Sequence, residues 1–227
     1  MTVKPTVGYT APMRNNGLRV KRSGGPTIEK PTVTPRRLTN AAVRPREYLT
    51  GEEIRRLLKM ARTRSGAKFP HRDATMILMA YRHGLRVSEL VSMRWDMLDL
   101  RQGTFHVVRR KNGRASVHLI RGDEIRALRK VQREQPTGSP YVFVSERKGP
   151  MTVDGFQKLF TRIGAVAAFP FPIHPHMLRH ACGFHLANAG HDTRALQDWL
   201  GHQNIQHTVR YTELTPKRFK GFFAEED

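Results

Sequence analysis

The most informative stretch of this sequence is His174-Pro175-His176-Met177-Leu178-Arg179-His180. If a helix begins at Pro175, then His176, Arg179 and His180 lie on one face, because they are spaced i, i+3 and i+4. Such a face presents several nitrogen donors to one point, which suits a phosphate group. Two other interpretations remain open at this stage: a metal site, and a partly buried polar face of a helix.

A metal site is the less favoured interpretation, because few other ligands are near. Histidines at i and i+4 can bind zinc as a pair. The nearest downstream carboxylates, however, are Asp192 and Asp198, and Cys182 has no second cysteine to pair with. A two-metal phosphoryl-transfer site needs several converging carboxylates, whereas this stretch is rich in arginine. The sequence therefore predicts no metal site.

A second constellation lies closer to the carboxyl end, where Leu200-Gly201-His202 precedes Tyr211. A tyrosine phenol is a poor nucleophile at neutral pH unless cations stabilise its oxyanion. Arg179, Arg86 and His202 are the candidates to supply that stabilisation. The alternative is that Tyr211 only packs against the last helix.

The third constellation is Arg86-Val87-Ser88-Glu89, in which an arginine and a glutamate lie three positions apart. On a helix these two side chains face each other. Taken alone, the pair has a plain alternative as a surface ion pair that contributes little to stability.

The charge of the chain points to nucleic acid as a partner. Its 227 residues contain 40 Lys and Arg against 19 Asp and Glu, a formal net charge of +21. Residues 1–46 hold ten of these cations, one acidic residue, six prolines and four glycines. This composition predicts a basic, disordered N-terminal arm in which Arg36 and Arg37 contact the DNA backbone. A solvated tail that adds only general charge is the alternative.

Other features of the composition limit the class of protein. A single cysteine excludes an internal disulfide framework and fits a reducing compartment. No uncharged apolar run approaches the roughly 18 residues of a membrane span. We therefore expect a soluble, cytoplasmic protein without a membrane segment.

The hydrophobic pattern predicts a fold that is mostly α with a small antiparallel β-sheet (α+β), formed by residues 47–227. Two β-prone runs, 104–110 and 115–120, flank an Asn-Gly turn and predict a hairpin with Lys111 at its tip. A short strand is expected at 141–144. Helices are expected behind a capping box at Thr50–Glu53, at 74–83, from Ser88, and at 123–132, 153–166, 175–188, 193–200, 205–212 and 216–223.

The order of these candidate residues resembles the catalytic signature of the tyrosine recombinase (phage integrase) family: Arg, Lys, His-x-x-Arg, His or Trp, then Tyr. The matching residues are Arg86, Lys111, His176, Arg179, His202 and Tyr211. The flanking words Gly84-Leu85-Arg86, Leu178-Arg179-His180, Leu200-Gly201-His202 and Tyr211-Thr212 are similar too. Within the family, the chain most resembles the compact recombinases that invert fimbrial promoters.

The resemblance implies cutting and rejoining of DNA through a 3′-phosphotyrosine, without metal, ATP or another cofactor. It makes Tyr211 the nucleophile. Arg86 and Arg179 clamp the phosphate, Lys111 is the general acid, His176 the general base and His202 a hydrogen-bond donor. Glu89 and His180 are expected to support these residues. Arg109, Arg110 and Arg114 are expected to contact DNA beside Lys111, and which of these cations reaches the phosphate stays open.

The resemblance also implies partners, namely double-stranded DNA with specific recombination sites and a homotetramer assembled on it. Family members carry an N-terminal core-binding domain, which the 46-residue arm or an accessory DNA-bending protein would have to replace. Phe219, Phe222 and Phe223 are candidates to anchor a C-terminal segment on a neighbouring protomer or on the same chain. The competing functions are a non-catalytic DNA-binding accessory or regulatory protein and a type IB topoisomerase.

Overall fold

The computed structural model describes residues 46–109, 115–135 and 138–213. Within these ranges there are eight α-helices, one short 3-10 helix at Trp95–Met97 and three strands. The helices are α1 (Gly51–Thr63), α2 (Pro70–Arg82), α3 (Val87–Val91), α4 (Gly122–Glu134), α5 (Val153–Val166), α6 (His176–Asn188), α7 (Thr193–Leu200) and α8 (Gln206–Glu213). The strands are β1 (Leu98–Asp99), β2 (Thr104–Val107) and β3 (Ser116–Leu119).

The first helix begins as the sequence predicts. Thr50 Oγ1 accepts a hydrogen bond from the Glu53 amide, and the Glu53 carboxylate accepts one from the Thr50 amide at 2.8 Å. This reciprocal box satisfies two amides that a helix start would otherwise leave without partners. Ile54, Leu57 and Ala61 follow on the buried face. These apolar side chains place α1 against α2.

The sheet is antiparallel with the order β1-β2-β3. Phe105 pairs with Leu98 on one side and with His118 on the other. Phe105 and Val107 are buried, whereas His106 between them is exposed, because successive side chains of a strand point to opposite faces. The predicted hairpin strands and the fold class are confirmed.

Helix α6 is buried on most of its circumference. Residues 177–183 are all buried, so the helix shows no continuous exposed polar face within this stretch. It contacts α1, α2, α7 and α8. A helix surrounded in this way has its orientation fixed by packing on several sides. The residues that it carries are therefore held in place by the core.

Three details of the sequence-based prediction are wrong. Helix α2 begins at Pro70, four residues earlier than expected, because proline fits the first turn of a helix. Residues 141–144 form no strand: Tyr141 and Val144 make only isolated bridges, to Arg94 and Pro150. Strand β1 was not expected, since two residues are too short to give an alternating pattern.

Some predictions lie outside the described residues. These are the N-terminal arm to residue 45, the hairpin tip with Lys111, Arg110 and Arg114, and the helix at 216–223. Among the helices of the described ranges, none has both the length and the apolar character needed to cross a membrane.

Candidate active site

Arg179 joins two turns of the backbone inside the protein. Its Nη1 donates a hydrogen bond to the carbonyl of Gly84, just after α2, and its Nη2 donates to the carbonyl of Leu200 at 2.6 Å. Burial, together with the nearby charges of Arg86 and Arg109, lowers the pKa of Arg179 to about 10. Arg179 still carries its charge at neutral pH. The predicted phosphate-binding cation is thus fixed by the fold before any phosphate arrives.

Arg109 makes a parallel connection between the same two turns. Its Nη2 donates to the carbonyls of His83, at 3.2 Å, and of Trp199, which immediately precede the two carbonyls bound by Arg179. The Arg109 side chain has no exposed surface. This burial corrects the expectation that Arg109 contacts DNA. Gly201 makes room for it, because a Cβ there would lie 2.7 Å from Arg109 Cγ.

Glu89 connects Arg109 with Arg86. One carboxylate oxygen accepts from Arg86 Nη1 at 2.8 Å, and the other accepts from the Arg86 amide and from Arg109 Nη1, both at 2.9 Å. Burial would raise the pKa of Glu89, but the Arg109 charge and the hydrogen bonds from Arg86 and Arg109 outweigh it and lower the pKa. Glu89 is therefore ionised and orients Arg86, whose side chain keeps 30% of its surface exposed.

Glu89→Gln should destabilise the protein strongly. The amide keeps the size of the side chain but leaves the buried Arg109 charge without its counter-ion, which costs about 3–5 kcal/mol in comparable sites. Urea unfolding of the variant measures this loss as a lower free energy of unfolding. Glu52→Gln is the control: Glu52 is exposed in the first turn of α1, so its change should stay within about 0.5 kcal/mol. Equal stability of both variants contradicts the role assigned to Glu89.

Tyr211 lies inside the protein against α6. It keeps 2% of its surface exposed, and its ring packs on Gly183, where a Cβ would come within 2.8 Å of the ring carbons. Its hydroxyl lies 2.9 Å from Nδ1 of His180. Burial raises the pKa of Tyr211, although the charges of Arg179 and Arg210 counteract part of this rise. The phenol is therefore protonated in the resting protein and lies close to the predicted cations.

His202 is stacked near the same phenol. Its ring is nearly parallel to the Tyr211 ring, at 16°, with centroids 6.4 Å apart. Its Nδ1 lies 2.8 Å from the hydroxyl of Thr208. Burial and the charges of Arg179 and Arg86 lower the pKa of His202 to about 3, so the ring is neutral at pH 7. When the Thr208 hydroxyl donates to Nδ1, Nε2 carries the hydrogen and is the donor.

Two of the three histidines of α6, His176 and His180, differ in their surroundings. His176 is exposed, whereas His180 is buried, and their rings meet edge to face with centroids 4.6 Å apart. The structure therefore brings Arg86, His176, Arg179, His202 and Tyr211 into one region, around Glu89 and His180. Lys111 lies outside the described residues.

Sequence reasoning missed three contacts of this region. The link from Arg109 to Glu89 had a signal in the alternation of strand β2, since Phe105, Val107 and Arg109 occupy every second position and are all buried. His180 and Tyr211 lie 31 residues apart in different helices, and His202 lies in the turn before the helix that carries Thr208. No helical spacing rule indicates either of these two hydrogen bonds.

A buried polar network anchors strand β3 beside the site. His83 bonds to Glu124 through one ring nitrogen and to His118 through the other, both at 3.0 Å. The second ring nitrogen of His118 bonds to Ser116 at 2.9 Å. Trp199 stacks on His118 with centroids 3.7 Å apart. This network fixes the strand that follows the predicted lysine turn to the ends of α2 and α7.

The buried histidines make acid destabilisation an expected property. Burial, together with neighbouring positive charge, lowers the pKa of His118 to about 2 and that of His180 and His202 to about 3. In the unfolded chain each titrates near about 6.5, so below that pH the unfolded state binds more protons than the folded state. Stability therefore falls as the pH drops from about 6.5, by up to roughly 2 kcal/mol per histidine at pH 5.

Calorimetric melting between pH 7.5 and pH 5 measures this loss as a falling Tm. His202→Asn removes one titrating group and should make the fall less steep. A Tm independent of pH in this range would show that these histidines are protonated without cost to the fold.

The site thus places a protonated phenol beside two fixed guanidinium groups, a neutral imidazole donor and an imidazole acceptor. Such a set of groups can bind a phosphodiester and stabilise the charge that develops when an oxygen attacks its phosphorus.

Comparison with known families agrees with this geometry, since the model of the phage integrase family matches residues 47–218. The chain belongs to the phage integrase family. The type 1 fimbriae regulatory protein FimE of Escherichia coli K12 is 40% identical over 184 residues, which cover 78% of this chain and 91% of FimE. Tyrosine recombinase XerA of Thermococcus kodakarensis is 34% identical over 84% of this chain and 64% of its own length.

Solved structures of recombinases have the same fold. The crystal structure of XerA recombinase matches with a TM-score of 0.67 and 22% identity, over 79% of this chain and 66% of that chain. XerH bound to its difH substrate matches with a TM-score of 0.65 and 21% identity, over 77% and 53%. This chain thus spans about half to two thirds of these solved chains. Family membership confirms the prediction of a site-specific tyrosine recombinase and its resemblance to the fimbrial members.

Proposed function

We propose that this chain cuts and rejoins double-stranded DNA at specific sites, with Tyr211 as the nucleophile that forms a 3′-phosphotyrosine. The observation that carries the proposal is the position of the Tyr211 hydroxyl, bonded to His180 in the neighbourhood of Arg179. Because one phosphodiester replaces another, the reaction needs no ATP. The exchange is reversible, so the same groups serve cleavage and rejoining.

Arg86 and Arg179 bind the non-bridging oxygens of the scissile phosphate in this proposal. Each guanidinium offers paired donors that match the geometry of a phosphate. Arg179 is held by the carbonyls of Gly84 and Leu200, and Arg86 by Glu89, so neither has to reorganise as charge accumulates. The side chain of Arg86 is 30% exposed, so a ligand can reach it from solvent.

Proton transfers complete the reaction. His202 donates a hydrogen bond to the phosphate through Nε2, and a histidine of α6 receives the phenolic proton. The resemblance assigns that base role to His176. Lys111 is the general acid that protonates the leaving 5′-oxygen, a role that rests on its place in the sequence beside the strands of the hairpin.

Trapping the covalent intermediate tests the proposal. A DNA duplex with a nick near the cleavage site loses the short strand after cleavage, so the wild-type protein should accumulate as a covalent complex. Peptide mass spectrometry should locate the attached nucleotide on Tyr211. The complex should form equally well in EDTA, and its loss on chelation would indicate a metal-dependent reaction. Tight DNA binding with no covalent complex would favour the non-catalytic accessory protein instead.

The similarity to FimE supports a narrower proposal about the biological reaction. We propose inversion of a DNA segment, carried out in the cytoplasm on the nucleoid by a homotetramer, with an accessory DNA-bending protein as a further partner. Two sites placed in inverted orientation on a plasmid should yield inverted product. Relaxation of supercoils without joining of the two sites would indicate a topoisomerase.

The N-terminal arm, residues 1–46, is proposed to bind the phosphate backbone and to substitute for a core-binding domain. A chain that starts at Glu47 lacks ten cations of the arm. It should bind DNA more weakly, with a shallower dependence of the binding constant on salt concentration, because fewer counterions are released. A salt titration of both proteins measures the slope. Identical slopes would show that the arm takes no part in binding.

A further inference from the structure

The hydrogen bond between His180 and Tyr211 carries an inference about the proton transfer. Nδ1 of His180 lies 2.9 Å from the phenolic oxygen, and both side chains are buried. The ring centroids lie 5.9 Å apart at an angle of 55°. A base must be within hydrogen-bond reach of the proton that it removes, and His180 meets this condition in the resting protein.

The charge state and the tautomer of His180 together set the direction of this hydrogen bond. Burial and the charges of His176, Arg210, Arg179 and His174 lower the pKa of His180 to about 3. The ring is therefore neutral at pH 7 and its Nδ1 can accept a hydrogen. In the tautomer that carries its hydrogen on Nε2, the Nδ1 lone pair is available, so the phenol donates and the imidazole accepts.

The first histidine of the helix, His176, has a different position. His176 is exposed one turn before His180, whereas His180 lies inside against the nucleophile. At the surface, His176 is accessible to an incoming phosphodiester, whereas the buried His180 contacts the phenol. Each histidine is therefore placed to contact a different reactant, His176 the phosphodiester and His180 the phenol of Tyr211.

We propose that His180 is the catalytic residue that accepts the proton of Tyr211, a role that the resemblance gives to His176. The inference rests on the proposed function, with Tyr211 as the nucleophile. In cleavage the phenolic O–H bond breaks and its proton moves to Nδ1 of His180. The phenolic oxygen bonds to phosphorus, the bond from phosphorus to the 5′-oxygen breaks, and the general acid protonates that oxygen. In rejoining, the 5′-hydroxyl returns its proton to the deprotonated general acid and its oxygen bonds to phosphorus. The bond from phosphorus to the phenolic oxygen breaks, and Nδ1 returns its proton to that oxygen.

Binding of DNA would prepare His180 for this role. Besides burial, positive side chains keep it neutral in the free protein, among them Arg179, which is proposed to bind the phosphate. A bound phosphodiester compensates their charge, so protonation of His180 becomes easier. The nucleophile would then be activated only when its substrate is present.

The test uses three variants of the full chain in single-turnover cleavage of the nicked duplex. His180→Asn keeps a polar atom near the Nδ1 position, so it can bond to the phenol but cannot take its proton. His180→Phe loses both properties, and His176→Asn is the matched control on the same helix. Each variant is also made with difluorotyrosine at position 211, whose more acidic phenol depends less on a base.

We expect His180→Asn to bind DNA normally and to cleave at least about 100-fold more slowly, the usual contribution of a general base. Difluorotyrosine should restore most of this rate in the His180 variants and little in His176→Asn. The proposal is overturned if His180→Asn cleaves as fast as the wild type, because the hydrogen bond to Tyr211 would then only position the phenol. It is also overturned if difluorotyrosine restores the rate of His176→Asn instead. If His180→Asn fails to fold, the rescue of His180→Phe by difluorotyrosine, compared with that of His176→Asn, decides by the same criteria. Failure of the proposed function is distinct, because the wild-type protein itself would then form no covalent complex.

Discussion

Tyr211→Phe should leave the protein able to bind DNA and unable to form a covalent complex with it. The ring keeps its shape, so its packing on Gly183 and Phe184 is retained. The variant loses the oxygen proposed to attack phosphorus, together with its hydrogen bond to His180. Loss of that hydrogen bond leaves Nδ1 of the buried His180 without this donor, at a cost of about 1–3 kcal/mol. Denaturing electrophoresis of the nicked-duplex reaction measures the covalent complex directly.

Two controls make this result interpretable. The melting temperature of the variant shows that the protein is folded, and its DNA affinity at a fixed salt concentration should equal that of the wild type. If the phenylalanine variant still becomes attached to DNA, another side chain is the nucleophile and the assignment of Tyr211 is wrong.

Arg179→Met should reduce strand cleavage by about 100- to 1,000-fold, the usual effect of removing one preorganised donor to a developing charge. It should also lower stability, because the carbonyls of Gly84 and Leu200 lose their donor inside the protein. Each carbonyl left without a partner costs roughly 1–3 kcal/mol. Cleavage is therefore measured in single turnover, with saturating DNA, at a temperature well below the Tm of the variant.

A neutral substrate separates the catalytic effect of Arg179 from its structural one. In a methylphosphonate duplex, one non-bridging oxygen of the scissile phosphate is replaced by a methyl group, so less charge has to be stabilised. The difference between wild type and Arg179→Met should shrink on this substrate. Arg179→Lys should stay slow on the ordinary phosphate, since an ammonium group lacks the planar pair of donors. An unchanged difference on the neutral substrate would show that Arg179 acts only through the fold.

Local signals in the sequence predicted much of the fold. The capping box at Thr50 and the glycine stop at Gly201, which adopts a φ of 65°, each define a helix boundary through chemistry within a few residues. The Asn-Gly turn and the alternating apolar residues likewise predicted the hairpin. These elements could be predicted because their causes are close together in the chain.

The assembly of the site depended on causes that are distant in the chain. Arg109 was expected at the DNA surface because it lies in a run of cations, but the strand turns it inward, where Glu89 and two carbonyls bind it. The identities of the candidate residues came from their order, which matches a family signature. Which histidine contacts the phenol depends on how α6 and α8 pack, and a sequence alone does not contain that distance.

Helix α6 carries the exposed imidazole of His176, the guanidinium of Arg179, the buried imidazole of His180 and Gly183, against which the Tyr211 ring packs. The helical repeat, rather than a loop, sets the distances between these four residues. Their relative positions therefore cannot change independently of one another during evolution. Recombinases selected for new target sequences should therefore keep the residues of α6 unchanged and acquire their substitutions in the elements around this helix.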